Sequence, residues 1–137
     1  MFMHNIHKDE VDMCLFEDKL VTHDSNGLPT GKYTASVERV RRRGDEQLLV
    51  RVESHGCVTD DRGAKTHMGN SLSGYLDYPS LRLIEQDHVQ YVKNHKMNTR
   101  KQVLLNYDVE TCELRMTRET TEGERAAAAA RTLLLFS

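Results

Sequence analysis

The segment Tyr33 to Glu53 constrains the fold more than any other part of the chain. It runs Tyr-Thr-Ala-Ser-Val-Glu-Arg-Val-Arg-Arg-Arg, then Gly44-Asp45, then Glu-Gln-Leu-Leu-Val-Arg-Val-Glu. Apolar and polar residues alternate for much of both halves, the period of a half-buried strand. Gly44 at the first central position suits a two-residue type II′ turn. A turn placed there sets Arg43 opposite Glu46, Arg41 opposite Leu48 and Val37 opposite Val52. Tyr33, Ala35, Val37, Leu48, Val50 and Val52 then share one face. The other face carries Thr34, Ser36, Glu38, Arg51 and Glu53, with Glu38 opposite Arg51 as a cross-strand charge pair.

Two more hairpins are expected. The first runs Lys101 to Tyr107, turns at Asp108 to Thr111, and returns from Cys112 to Arg118. Val103, Leu105, Tyr107, Cys112, Leu114 and Met116 form its dry face; Gln102, Asn106, Glu113, Arg115 and Thr117 form the wet one. Leu81 to Lys93 suggests the second, turning near Gln86-Asp87. Val11 to His23 reads as one or two short strands split near Glu17-Asp18. Residues 1–9 read as a flexible tail. Residues 57–80 hold Gly63, Gly69, Gly74 and Pro79 and few β-branched residues, which predicts a long loop. Glu122 to Phe136 contains five consecutive alanines, strong helix formers, with acids at its start and Arg131 near its end, as the helix dipole favours. It predicts a C-terminal α-helix, with a closing strand as the alternative.

Successive hairpins make an antiparallel meander. A meander with one dry face closes into a barrel or is capped by a helix. The fold expected is thus mainly β: one domain over 1–137, a small β-barrel or curved sheet with a C-terminal helix. The meander spacing over about residues 31 to 118 resembles the lipocalin and fatty-acid-binding class of small barrels. No motif of that class is present, so the resemblance assigns no functional residues.

Composition excludes several classes. The net charge of −2 lacks the strongly basic balance of a duplex-DNA binder. Cys14, Cys57 and Cys112 are widely spaced, odd in number and form no CxxC pair, which excludes a zinc ribbon or thioredoxin-type site. Each reads as a small buried hydrophobe. Three scattered thiols and the lack of a glycosylation sequon fit a reducing compartment, the cytoplasm. No apolar run approaches the ~20 residues of a membrane helix, and no signal peptide is visible.

Arg39, Arg41, Arg42 and Arg43 are the most informative charged cluster. The register places Arg39 and Arg41 on the apolar face, where a guanidinium needs a carboxylate, an anion or an outlet to water. With Tyr33 they are the candidate ligand-binding residues, for a small anionic or amphipathic molecule. A bulge that turns the arginines outward, or a hairpin projecting into water, is the structural alternative. The second basic stretch is Lys93, His95, Lys96, Arg100 and Lys101. Together with Tyr33, Tyr75, Tyr78 and Tyr91 it permits a single-stranded nucleic-acid or protein interaction surface. Chemistry is less well supplied. There is no GxSxG, P-loop or GxGxxG. His55 and Cys57, two apart on one strand, are the weak candidates for an imidazole-activated thiol. Asp60, Asp61 and His67 share the expected loop, where Asp-Asp-Arg-Gly is an ordinary turn sequence. No metal and no cofactor are implied. The primary reading is a small-ligand binding module; the alternatives are an interaction subunit and an enzyme built on the same pocket.

Overall fold

The structure is a computed structural model that describes residues 7–123 and, as backbone, 125–134. A five-residue helix, α1 (Lys8–Asp12), precedes eight strands: β1 (Phe16–His23), β2 (Pro29–Arg42), β3 (Asp45–Thr59), β4 (Lys65–Asp77), β5 (Leu83–Lys93), β6 (Asn98–Asp108), β7 (Glu113–Glu122) and β8 (Arg125–Leu134). They form a single antiparallel sheet in the order β1 to β8, each strand beside its chain neighbours. The meander expected from the sequence is present. It is a sheet that stays open: no pairing joins β1 to β8 among the described residues, so the barrel alternative is not realised.

The β2–β3 turn lies one residue earlier than expected. Arg43 (φ 55°) and Gly44 (φ 83°) both sit in the left-handed region, as the central pair of a type I′ turn requires. Arg42 then pairs with Asp45, Arg41 with Glu46, Val37 with Val50 and Arg39 with Leu48. Glu38 faces Leu49 and Ser36 faces Arg51, replacing the expected Glu38–Arg51 pair. This placement sets two arginines directly opposite two acids, and Gly44 takes one of the two positive-φ positions without steric cost. The partners shift by two residues, so the division into faces survives.

Other expectations are corrected. Residues 57–80 are not a loop: β3 runs on to Thr59, a short turn follows, and β4 fills most of the rest. The turn is fixed by Asp60, whose carboxylate accepts from the backbone N–H groups of Arg62 and Ala64, the side-chain mimic of a backbone turn. Leu81 to Lys93 is not a hairpin, because Gln86 and Asp87 lie within the single strand β5. Asp87 accepts a hydrogen bond from Gln102 on β6, so the polar pair is satisfied across the ladder. The alanine segment is strand β8, not a helix; β7 supplies a partner from Glu113–Leu134 to Glu122–Arg125, and tertiary pairing overrides propensity. β1 is unsplit. Lys8 and Asp9 belong to α1, while the remaining expected tail, residues 1–6, lies outside the described residues. Cys14 and Cys112 are exposed, contrary to a buried role, and Cys57 is half-buried; all three are free thiols.

Directly opposed residues share a face. The registers therefore place Phe16, Leu20, Tyr33, Val37, Val50, Val52, Met68, Leu72, Val92, Val103, Leu105 and Met116 on one apolar face. The helix covers only one end of it. Val11 packs on Leu48 and Tyr78, with Leu15 and Leu76 around them.

Candidate functional site

At the covered end, Arg39 holds the helix down. Its guanidinium reaches Asp12 at 3.4 Å and Glu46 at 3.0 Å, and its centre lies 4.4 Å from the Tyr78 ring centroid. The Tyr78 hydroxyl donates to Asp12 at 3.0 Å. Burial opposes the charge on Arg39, but Glu46, Tyr78 and Asp12 outweigh it and raise its pKa. Burial and the bond to Asp12 push the Tyr78 hydroxyl up, with Arg39 acting against them. Arg39 thus has two carboxylates of its own chain as partners. Arg41 is exposed opposite Glu46. Arg42 lies on the other face, stacked 4.1 Å from the Tyr75 ring and ion-paired with Glu85.

Tyr33 stands six residues from Arg39 along β2, roughly 20 Å away at the rise of a strand. The three candidate ligand residues therefore do not converge. Tyr33 instead borders a groove of about 560 Å³ with Ser54, Met68, Asn70, Gln90 and Val92. The groove is open to solvent, unlike the enclosed pockets that hold most small ligands.

His55 and Cys57 do point to one side, since Gly56 leaves β3 unbroken. That is the face opposite the groove-lining Tyr33 and Met68. His55 is engaged elsewhere: its Nδ1 lies 3.0 Å from the Tyr91 hydroxyl. Gly69, between them on β4, leaves room for this contact; a Cβ there would run into the Tyr91 ring and His55 Nδ1. Cys57 is paired in the ladder with His67. No group of three or more metal-ligating side chains occurs among the described residues.

Sequence reasoning missed the exposed apolar surface. Phe16 is 49% exposed, Leu20 59% and Met68 40%, all on the face that α1 leaves uncovered. The total accessible surface is 10470 Å². A compact monomer of 15.8 kDa exposes about 7,300 Å². Even after subtracting all the surface that the residues outside the description could expose, more than about 1,000 Å² of surplus remains. The signal in β1 was weak, because Asp18 sits between Phe16 and Leu20 on the same face. No helix among the described residues is long and apolar enough to cross a membrane.

A family model described as "Ciliogenesis-associated TTC17-interacting protein, N-terminal domain" matches residues 1–135. Among curated proteins, the ciliogenesis-associated TTC17-interacting protein of Homo sapiens is 32% identical over 129 residues, covering 90% of this chain and 31% of that protein. Its Xenopus laevis counterpart is 28% identical over 131 residues, 90% of this chain and 32% of the relative. The Danio rerio protein is 28% identical over 102 residues, 74% and 27% respectively. The chain thus spans about three-tenths of the length of these relatives. No solved structure matches it. The match over nearly the whole length shows that this chain belongs to the family of ciliogenesis-associated TTC17-interacting protein N-terminal domains.

Proposed function

We propose that this domain is a protein-docking module and that its uncovered apolar face contributes to the TTC17 interaction for which its relatives are named. The observation that carries the reading is the surplus of exposed surface on an open sheet. A standard interface buries about 800 Å² per partner, and the surplus exceeds that. Contiguous apolar surface on a folded domain marks an interaction site more often than scattered exposed residues do. The interaction-subunit alternative is therefore favoured over the small-ligand one, for which the open groove and the dispersed arginines offer no support.

The test is capture of purified TTC17 by the immobilised domain. The double variant Leu20→Asp with Tyr33→Asp places two charges on the apolar face at exposed positions. Val21→Asp, also exposed, places one on the opposite face. Capture by the wild type and by Val21→Asp, with loss in the double variant, supports the reading. Failure of the wild type to capture TTC17, or equal capture by all three, overturns it.

A further inference from the structure

We propose that the groove bordered by Tyr33 and Met68 receives an acidic amphipathic helix of a protein partner. This rests on the protein-docking reading and specifies the partner's chemistry. The groove follows two cross-strand rows. One is Tyr33, Ser54, Asn70, Gln90 and Lys101; the other is Gly31, Gly56, Met68, Val92 and Thr99. Gly56 contributes no side chain and lines the groove on β3, with Thr22 of β1 at its outer side; at Gly31 the neighbouring backbone of His55 leaves no room for one. A second hollow of about 260 Å³, bordered by Met97, Thr99 and Lys101, shares Gln90, Tyr91 and Val92 with the first and extends it. Met68 and Met97 stand 40% and 48% exposed. Flexible thioethers suit a surface that must adapt to an incoming apolar side chain.

Charge selects the acidic partner. The β5–β6 connection brings Lys93, His95, Lys96, Arg100 and Lys101 to this end of the sheet; Lys101 stands on the groove's face and Lys96 in the connection, while Lys93 and Arg100, opposite Asn98 and Tyr91, belong to the reverse face. Among the described residues, none of Lys93, Lys96, Arg100 and Lys101 forms an ion pair. Glu122, also at this end, borders a hollow with Asn94 to Thr99 of the connection. Lys101 on the groove's face and Lys96 in the adjoining connection complement a segment with apolar residues on one side and Asp or Glu on the flank. The molecule already contains one such pairing. α1 is an acidic helix, Lys-Asp-Glu-Val-Asp, seated on the same face by Val11 against Leu48 and by Asp12 on Arg39.

The probe is a labelled peptide of about four helical turns, with Leu at spacings of three and four and Glu on its flanks. Its control carries Lys in place of Glu. Fluorescence anisotropy is read at low and high salt. The acidic peptide should bind, lose affinity with salt as exposed charges are screened, and leave the Lys peptide behind. Lys96→Glu with Lys101→Glu should weaken binding about tenfold. Met68→Asp should weaken it at least as much, and Val21→Asp should leave it unchanged. Chemical denaturation of each variant confirms that it is folded. No binding, equal binding of the two peptides, or wild-type affinity in the double lysine variant overturns the proposal. If these occur while Leu20→Asp with Tyr33→Asp still abolishes TTC17 capture, the docking reading stands and only the acidic-helix assignment fails.

Discussion

The two ends of this sheet are built differently. At the α1 end, Val11, Leu48 and Tyr78 are buried together, and Arg39 joins helix to strands through Asp12 and Glu46. At the other end, the same apolar face shows Tyr33 and Met68 to solvent beside Gly56, with Met97 exposed in the adjoining β5–β6 connection. A sheet face needs a layer against it, and a helix of five residues covers only one end. The contrast teaches that burial here is set by what lies over each stretch of strand. Apolar alternation continues past the point where cover stops.

The largest expected effect separates the two ends by stability. Leu48→Ala should cost about 2–5 kcal/mol, the range for truncating a buried leucine. Met68→Ala, at an exposed position, should stay within about 0.5 kcal/mol. Urea denaturation of both variants reads the difference; equal midpoints would mean that the ends are equally well packed. A smaller effect tests how tightly the open end is made on its reverse face. Gly69→Ala must displace the Tyr91 ring from His55 and should cost about 1–3 kcal/mol, as overpacking does. Gly74→Ala, where a Cβ meets nothing within 4 Å, should be neutral or stabilising by up to about 1 kcal/mol. Similar midpoints for these two would remove the close fit around Gly69.

The smallest effect concerns the helix anchor. Tyr78 has its pKa raised by burial and by the bond to Asp12, against Arg39. A raised value favours the protonated form in the folded state. Its stabilisation is complete below the ordinary tyrosine pKa of about 10 and is lost as pH rises through the higher folded value. Tyr107 is raised too, by burial and then by Cys112. Tyr78→Phe should therefore reduce, without abolishing, the fall in thermal midpoint on moving from neutral to strongly alkaline solution. An unchanged alkaline slope would detach Tyr78 from the anchor.

What was legible in the sequence followed from parity. The faces of β2 and β3 were readable although the turn was displaced, because a two-residue change of partners leaves every side chain on its own side. β6 and β7 were readable for the same reason, with Tyr107 opposite Leu114 and Leu105 opposite Met116. β4 was hidden. Its Thr-His-Met-Gly-Asn-Ser-Leu-Ser-Gly run has little β-branched content, and it is a strand because β3 and β5 flank it. β8 was hidden behind alanine's helix propensity. For the candidate site, Tyr33 was identifiable by its place on the dry face, whereas the partners of Arg39 were not. Asp12 lies 27 residues away in a short helix that the sequence presented as strand. The groove depends on five strands meeting at one end, and no local pattern encodes that.

The strict β1-to-β8 order has a consequence for cooperativity. Each strand touches only the strands before and after it in the chain, so the sheet behaves as a linear array of coupled neighbours, in the manner of a repeat protein. Contacts between sequence neighbours keep loop closure short and favour rapid folding. An array of this kind also opens from its two outer members inward, and a partner seated across several strands at once would tie together members that the chain itself links only in pairs.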